Sequence, residues 1–94
     1  MFTRGVVVGV VILGFISGAR AATFGEDVAF LREHTDVIVL HDSGGGAQVA
    51  VAPGYQGRVM TSTSGGEGGP SYGWINREVI ASGKSQPHIN VFGG

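Results

Sequence analysis

The sequence has no cysteine, only 3 prolines and only 6 lysine and arginine residues in a chain of 94. Without cysteine the chain can form no disulfide, no thiolate zinc site, no thiol nucleophile and no lipoprotein anchor. The formal net charge of −1 provides no basic surface of the kind that neutralises phosphates, which argues against a nucleic-acid partner. Length and composition therefore allow at most one small domain, whose stability depends on its apolar core.

The one long apolar run is confined to the N-terminus, where residues 1–21 have the pattern of a secretory signal peptide. Residues 6–16 (VVVGVVILGFI) follow an arginine and have the length of a signal-peptide core. Ala19 and Ala21 fit the small residues that precede a cleavage site, which predicts cleavage between Ala21 and Ala22. The run is shorter than the roughly 20 residues of a membrane span, which disfavours the alternative of an uncleaved membrane anchor. Either way we expect an exported, periplasmic or extracellular chain.

The segment behind the predicted signal is short and rich in glycine. Residues 22–94 would form the exported chain, and glycine contributes 18 residues to the whole sequence. A chain of this length buries only about 60% of its unfolded surface, and glycine adds backbone entropy but no side chain to the core. We therefore expect a partial β-sandwich domain over residues 22–94, truncated at its C-terminus and marginal by itself.

The first elements predicted in this domain are a helix and a strand. Thr23 and Glu26 have the spacing of a capping box. The apolar residues that follow recur at helical spacing, which predicts a helix over residues 24–33. Residues 37–40 (VIVL) form a continuous, mostly β-branched run, which predicts a strand buried on both faces.

Two further strands are predicted close behind. Residues 48–52 place Val49 and Val51 on one face and alanines on the other, and residues 58–63 also alternate. Short turns separate these runs, whereas parallel pairing would need long crossovers. The predicted fold is therefore mainly β with two short helices, and it is built on an antiparallel meander.

The remaining segments are predicted as a loop, a helix and a strand. Residues 64–69 (SGGEGG) predict a flexible connection. Trp74 and Ile80 fall on the apolar face of a second helix, which would end at Gly83. Residues 89–92 (INVF) predict the start of another strand.

Three short motifs resemble enzyme or metal-site signatures, but their settings do not fit. Residues 69–73 (GPSYG) match the G-x-S-x-G string of hydrolases, yet Ser71 follows a glycine loop and a proline instead of a strand. Residues 83–85 (GKS) lack the first glycine of a phosphate-binding loop. His34 and His41 lack the spacing of a helical zinc site. We therefore predict no nucleophile, no metal and no cofactor.

Four residues in the second half of the chain are candidates for binding a carbohydrate. The guanidinium of Arg58 can donate to sugar hydroxyls, and the ring of Trp74 offers an apolar face to sugar C–H groups. His88 precedes the predicted last strand and Asn90 lies within it, so both can present polar groups there. The alternative interpretations are that Arg58 is a solvent-exposed charge at the edge of a strand and that Trp74 packs in the core.

Four longer strings, which together cover nearly all of residues 23–94, carry a family resemblance. They are FGEDVAFLREHTDVIVL, AQVAVAPGYQGRVMTSTS, GWINREVIASGK and PHINVFGG. On these strings the chain resembles an uncharacterised family of exported bacterial proteins. The longer members of that family look like galactose mutarotase (aldose 1-epimerase)-like proteins, which are antiparallel β-supersandwiches that act on or bind carbohydrates. The resemblance implies that residues 22–94 are the N-terminal part of such a supersandwich.

The resemblance also sets the functional expectation. A mutarotase uses a carboxylate base and a histidine acid on widely separated strands, and the resemblance implies that most of these groups would lie after Gly94. No residue of this chain matches the arginine-containing strand motif of mutarotases, so none is assigned as catalytic. We expect an exported, carbohydrate-binding protein of the mutarotase-like class, with this chain inactive alone and a membrane contact only through an uncleaved signal. The alternative is a small, self-contained secreted binding or structural module. The identity of the sugar and the oligomeric state stay open.

Overall fold

A three-stranded antiparallel sheet with two short helices forms the described part of the chain, residues 22–94 of a computed structural model. The elements are α1 (Phe24–Arg32), β1 (Ile38–His41), β2 (Gln48–Ala52), β3 (Arg58–Thr63) and α2 (Arg77–Ser82), with 3₁₀ segments at Pro53–Tyr55 and Ile89–Phe92. The predicted fold class is confirmed. The predicted signal segment 1–21 lies outside the described residues, among which no helix is long and apolar enough to cross a membrane.

Helix α1 begins with the predicted capping box. The Thr23 hydroxyl accepts from the backbone N–H of Glu26 at 3.2 Å, and the Glu26 carboxylate accepts from the N–H of Thr23 at 2.9 Å. These bonds satisfy two of the amide groups that a helix start leaves unpaired. The helix buries Phe24, Asp27 and Leu31, so its inner face includes one carboxylate among apolar residues.

The sheet has the order β1-β2-β3, as a meander requires. The alanines of β2 are fully buried, whereas its valines are only partly covered. A register shift between Ala50 and Val51 leaves Met60 without a direct partner on β2. As a result Met60 and Thr61, which are neighbours in sequence, are both buried under α1. A bulge of this kind adds one residue to a strand and bends it.

Strand β1 lies at the edge of the sheet, and the prediction that it is buried on both faces is wrong. Ile38 and Leu40 are 50% and 56% exposed. Their register partners on β2 are Val51 and Val49, so these side chains share the outer face of the sheet, which none of the described elements covers. A β-branched run favours an extended backbone, but it does not determine what packs on either face.

The C-terminal segment forms a 3₁₀ helix over Ile89–Phe92, so the predicted strand there is wrong. Its amides bond locally, with Gly93 N–H donating to the Asn90 carbonyl at 3.3 Å. The turn places Phe92 against Tyr55, with ring centroids 4.3 Å apart and planes nearly parallel. Packing of this one large side chain into the core therefore prevailed over the β propensity of the run. The buried core cluster consists of Leu31, Ala52, Met60, Ile80 and Phe92.

Helix α2 is shorter than its apolar pattern predicted. The side chain of Asn76 accepts from the N–H of Val79 at 3.2 Å, which starts the helix at Arg77. Trp74 therefore precedes the helix instead of lying on its apolar face. Gly83 ends the helix with a left-handed φ of 69°, as predicted, because glycine adopts that conformation without a steric penalty.

The loop over residues 64–69 is bonded to its surroundings instead of forming the loose connection that its composition predicted. Gly25 N–H donates to the Glu67 carbonyl at 2.8 Å, and Gly66 N–H donates to the Gly46 carbonyl at 2.9 Å. These bonds join the loop to the start of α1 and to the β1–β2 turn. The loop thus fixes the position of the segment that follows it.

Tyr55 gives the fold a predicted sensitivity to alkaline pH. Burial raises the pKa of its phenol above the usual value. The neutral phenol is therefore favoured in the folded state. The stability that depends on the neutral form is fully present below the unfolded pKa of about 10 and is lost as pH rises through the folded pKa. We expect the free energy of unfolding, measured with urea, to fall more steeply above about pH 10 in the native protein than in Tyr55→Phe. Parallel curves for the two proteins would contradict this assignment.

Candidate functional site

Two exposed aromatic side chains flank a glycine on the segment that follows the 64–69 loop. Tyr72 and Trp74 are 60% and 59% exposed, although both are large apolar rings. Gly73 lies between them and packs against the backbone of β3. We call residues 72–74, together with Arg58, the aromatic surface. Large rings left in solvent on an otherwise ordered segment often mark a binding site.

The first half of the aromatic surface is anchored to β3 by hydrogen bonds. The N–H of Tyr72 donates to the carbonyl of Ser62 at 2.9 Å. The N–H of Gly73 donates to the hydroxyl of Thr61 at 3.0 Å. Residues 72–74 therefore lie along the edge of β3 opposite β2, and both rings are carried by a backbone of fixed position.

The second half of the aromatic surface is anchored by the C-terminal residues. Gly94 N–H donates to the Trp74 carbonyl at 2.8 Å, and Ile75 forms an isolated antiparallel bridge with Gly93. Arg58, at the start of β3, donates from Nε to the carbonyl of Gly93. The Arg58 guanidinium and the Trp74 backbone therefore meet around Gly93 and Gly94. Arg58 and Trp74 are two of the four binding candidates predicted from the sequence.

A partly buried chain of hydroxyls connects the aromatic surface to α1. Ser71 donates to a carboxylate oxygen of Asp27 at 2.5 Å, and Thr61 lies 2.5 Å from the Ser71 hydroxyl. Since the Ser71 proton is directed at Asp27, the Thr61 hydroxyl donates to Ser71, and Thr61 in turn accepts from the N–H of Gly73. The other carboxylate oxygen of Asp27 pairs with Arg77, whose guanidinium lies 4.5 Å from the centre of the Phe30 ring.

This network explains the G-x-S-x-G string without a nucleophile. The Ser71 hydroxyl donates its hydrogen bond to the buried carboxylate of Asp27. Within residues 22–94 no histidine bonds to Ser71 or Asp27. The serine therefore holds the segment to α1, in line with the structural interpretation of the motif. Nor do the described residues contain a group of three or more metal-ligating side chains placed to hold a metal ion.

The other two sequence candidates lie at the C-terminal 3₁₀ segment, where the Asn90 carbonyl accepts from the N–H of Gly93, the residue that Arg58 contacts. His88 and Asn90 are exposed at the 3₁₀ segment near the C-terminus. In the described part of the chain, neither side chain is bonded to Arg58 or Trp74. Tyr72 is the member of the surface that sequence reasoning missed. The sequence signal was the Tyr-Gly-Trp string itself, in which a glycine separates two aromatics outside any clear helix.

Comparison with protein families places the chain in a known family. Residues 22–94 match a family of unknown function, DUF6786, and the chain belongs to this family. Neither a curated protein nor a solved structure matches the chain. Membership of this family therefore assigns no activity to the chain.

Proposed function

We propose that this is an exported carbohydrate-binding protein of the galactose mutarotase-like class, and that the aromatic surface holds the sugar. The observation that carries the proposal is the exposure of Tyr72 and Trp74 on an anchored segment beside Arg58. A sugar ring has an apolar C–H face and a polar rim. Aromatic faces suit the first, and an arginine with several N–H donors suits the second.

The anchoring of the segment favours binding energetically. A surface loop that must become ordered loses conformational freedom on binding, whereas residues 72–74 are already bonded to Ser62, Thr61 and Gly94. Preorganisation of this kind reduces the entropy cost of binding. The area that a ligand covers on Trp74 would then contribute roughly 25 cal/mol per Å².

The uncovered outer face of the sheet supports the architectural part of the proposal. Ile38, Leu40 and Val59 are each at least half exposed, and the first two lie on the face opposite α1. Such a sheet fits one layer of a β-sandwich, in which a second sheet packs about 10 Å away. The signal-like N-terminus supports export to the compartment where extracellular polysaccharides occur.

Trp74 provides a direct test of ligand binding, because it is the one tryptophan in the sequence. We expect a blue shift of its emission and protection from acrylamide quenching on addition of galactose or soluble galactans to the exported protein. Trp74→Ala should weaken binding at least tenfold in calorimetry, since ~1.4 kcal/mol equals a factor of ten. Asp36→Ala, an exposed site just before β1 at the opposite edge of the sheet from β3, is the matched control and should bind normally.

The same preparation separates binding from catalysis. We expect galactose mutarotation, followed by polarimetry, to proceed at the buffer rate, because catalysis needs a positioned acid and base and Trp74 supplies neither. Acceleration above that rate would contradict the prediction of inactivity. A cooperative melt with no binding to any sugar tested would overturn the carbohydrate proposal and support a self-contained structural module.

A further inference from the structure

The outer edge of β1 offers unpaired backbone groups. Asp42 N–H donates to the Ala47 carbonyl at 3.1 Å, which makes these two residues a hydrogen-bonded pair of the β1–β2 hairpin. Hydrogen-bonded pairs alternate along an antiparallel ladder. The backbone groups of Val39 and His41 therefore point away from β2. Among the described residues, the strand Ile38–His41 itself contains no lysine, carboxylate or proline of the kind that usually protects an exposed edge strand.

A groove runs beside this edge, between β1 and α1. It has a volume of about 500 Å³, within the range of natural ligand sites. Phe24 and Val28 line it from the helix, and Val39 and His41 line it from the strand. The same two residues of β1 thus expose backbone groups at the edge and side chains in the groove.

The two ends of the groove carry opposite charges. Arg32 lies in the last turn of α1 and lines one end. Glu67 lines the groove near the first turn of α1, where its carbonyl accepts from Gly25 N–H at 2.8 Å. Because the chain reverses direction between α1 and β1, the Arg32 end lies near the start of β1. The Glu67 end lies near His41.

We propose that the groove binds an extended peptide segment of another protein, which adds to the edge of β1 as an antiparallel strand. Main-chain bonds to Val39 and His41 would provide affinity, and alternate side chains would enter the groove. In an antiparallel arrangement the N-terminal side of the peptide lies near His41. The peptide therefore carries a basic side chain facing Glu67, then an apolar one, then an acidic one facing Arg32.

Charge complementarity favours this occupant over a second copy of the chain. The strand that a second copy would present is Ile38–His41 (IVLH). Its flanking carboxylates, Asp36 and Asp42, alternate with Ile38 and Leu40 and so fall on the outer face of the sheet, where they cannot pair with Arg32. Such a copy would pair its backbone with β1 but would leave both ends of the groove without an opposite charge. A segment with a basic and an acidic residue four positions apart fits the groove, since strand residues two apart share a face.

The test uses two synthetic pentapeptides, blocked at both termini and titrated into the ¹⁵N-labelled exported protein. The first has lysine, threonine, valine, threonine and glutamate in that order, and the second exchanges the lysine and glutamate. We expect the first to bind about tenfold more tightly and to slow hydrogen exchange at the amides of Val39 and His41. The double variant Arg32→Glu with Glu67→Lys should reverse the preference. The side chains of Arg32 and Glu67 are both exposed, so this double substitution should leave the fold intact.

Three results would overturn the proposal. One is the absence of binding, or equal binding of both peptides by the native protein. The second is a preference that the double charge exchange does not alter. The third is protection of Val39 and His41 without peptide in a protein that elutes as a dimer, which would show that a second copy covers the edge. Binding of the first peptide by Trp74→Ala at native affinity would show that this site is independent of the aromatic surface.

Discussion

Gly73→Ala is expected to destabilise the protein by about 3 kcal/mol or more and to displace Trp74 from its position. A Cβ at this residue would lie 2.7 Å from the Cα of Thr61 and still closer to the carbonyl oxygen of Met60. Both are backbone atoms of β3, which cannot rotate away as a flexible side chain can. Overpacking in a well-packed region costs ~1–3 kcal/mol. We expect Gly73→Ala to cost at least the upper value because the added Cβ would clash with strand backbone.

Gly68→Ala is the matched control for this prediction. Gly68 lies a few residues earlier in the chain, and a Cβ there would meet nothing within 4 Å. Its free energy of unfolding should stay within about 0.5 kcal/mol of the native value. Urea denaturation followed by far-UV circular dichroism and by Trp74 fluorescence measures both effects. Equal stability of the two variants would mean that residues 72–74 do not pack on β3 as described.

Asp27→Ala is expected to cost about 2–3 kcal/mol. The residue is only 6% exposed, and its carboxylate is the acceptor for Ser71 and the ionic partner of Arg77. Breaking a buried pair by removing one partner costs about 3–5 kcal/mol. The lower figure applies here because the Arg77 side chain is 45% exposed and can regain hydration, whereas the hydroxyl of Ser71 loses a buried acceptor.

Asp36→Ala tests whether this loss comes from the network or from a change of net charge. Asp36 is exposed in the turn before β1, and its removal changes the formal charge by the same amount. We expect an effect within about 0.5 kcal/mol. Ser71→Ala should fall between the two, at about 1–2 kcal/mol, because it leaves Asp27 paired with Arg77. A loss for Asp27→Ala no larger than that for Asp36→Ala would contradict a structural role of the network.

The features that sequence predicted well are local ones. The capping box of Thr23 and Glu26 and the stop at Gly83 depend on residues within one helical turn. The meander follows from strand patterns joined by short turns, since nearby strands have few other ways to pair. These features hold whatever packs around them, so a single sequence was enough.

The features that the sequence did not predict depend on distant parts of the chain. Asp27 and Ser71 are 44 residues apart, and Asp27 and Arg77 are 50 apart. Neither the exposure of Ile38 nor the 3₁₀ turn that buries Phe92 is encoded by the local pattern, because each depends on what else reaches that face. The candidate site was half predicted for the same reason. Trp74 and Arg58 were identified from residue type, but their neighbour Tyr72 was not.

The hydroxyl chain from Gly73 to Asp27 has a consequence for the direction of its hydrogen bonds. Each hydroxyl has a single proton, so the carboxylate at one end fixes the direction of every bond above it. Reversing one member would leave two protons between one pair of oxygens and none between the next. The carboxylate of Asp27 therefore fixes the polarity of the whole chain, and its removal would leave the Ser71 and Thr61 hydroxyls free to reverse.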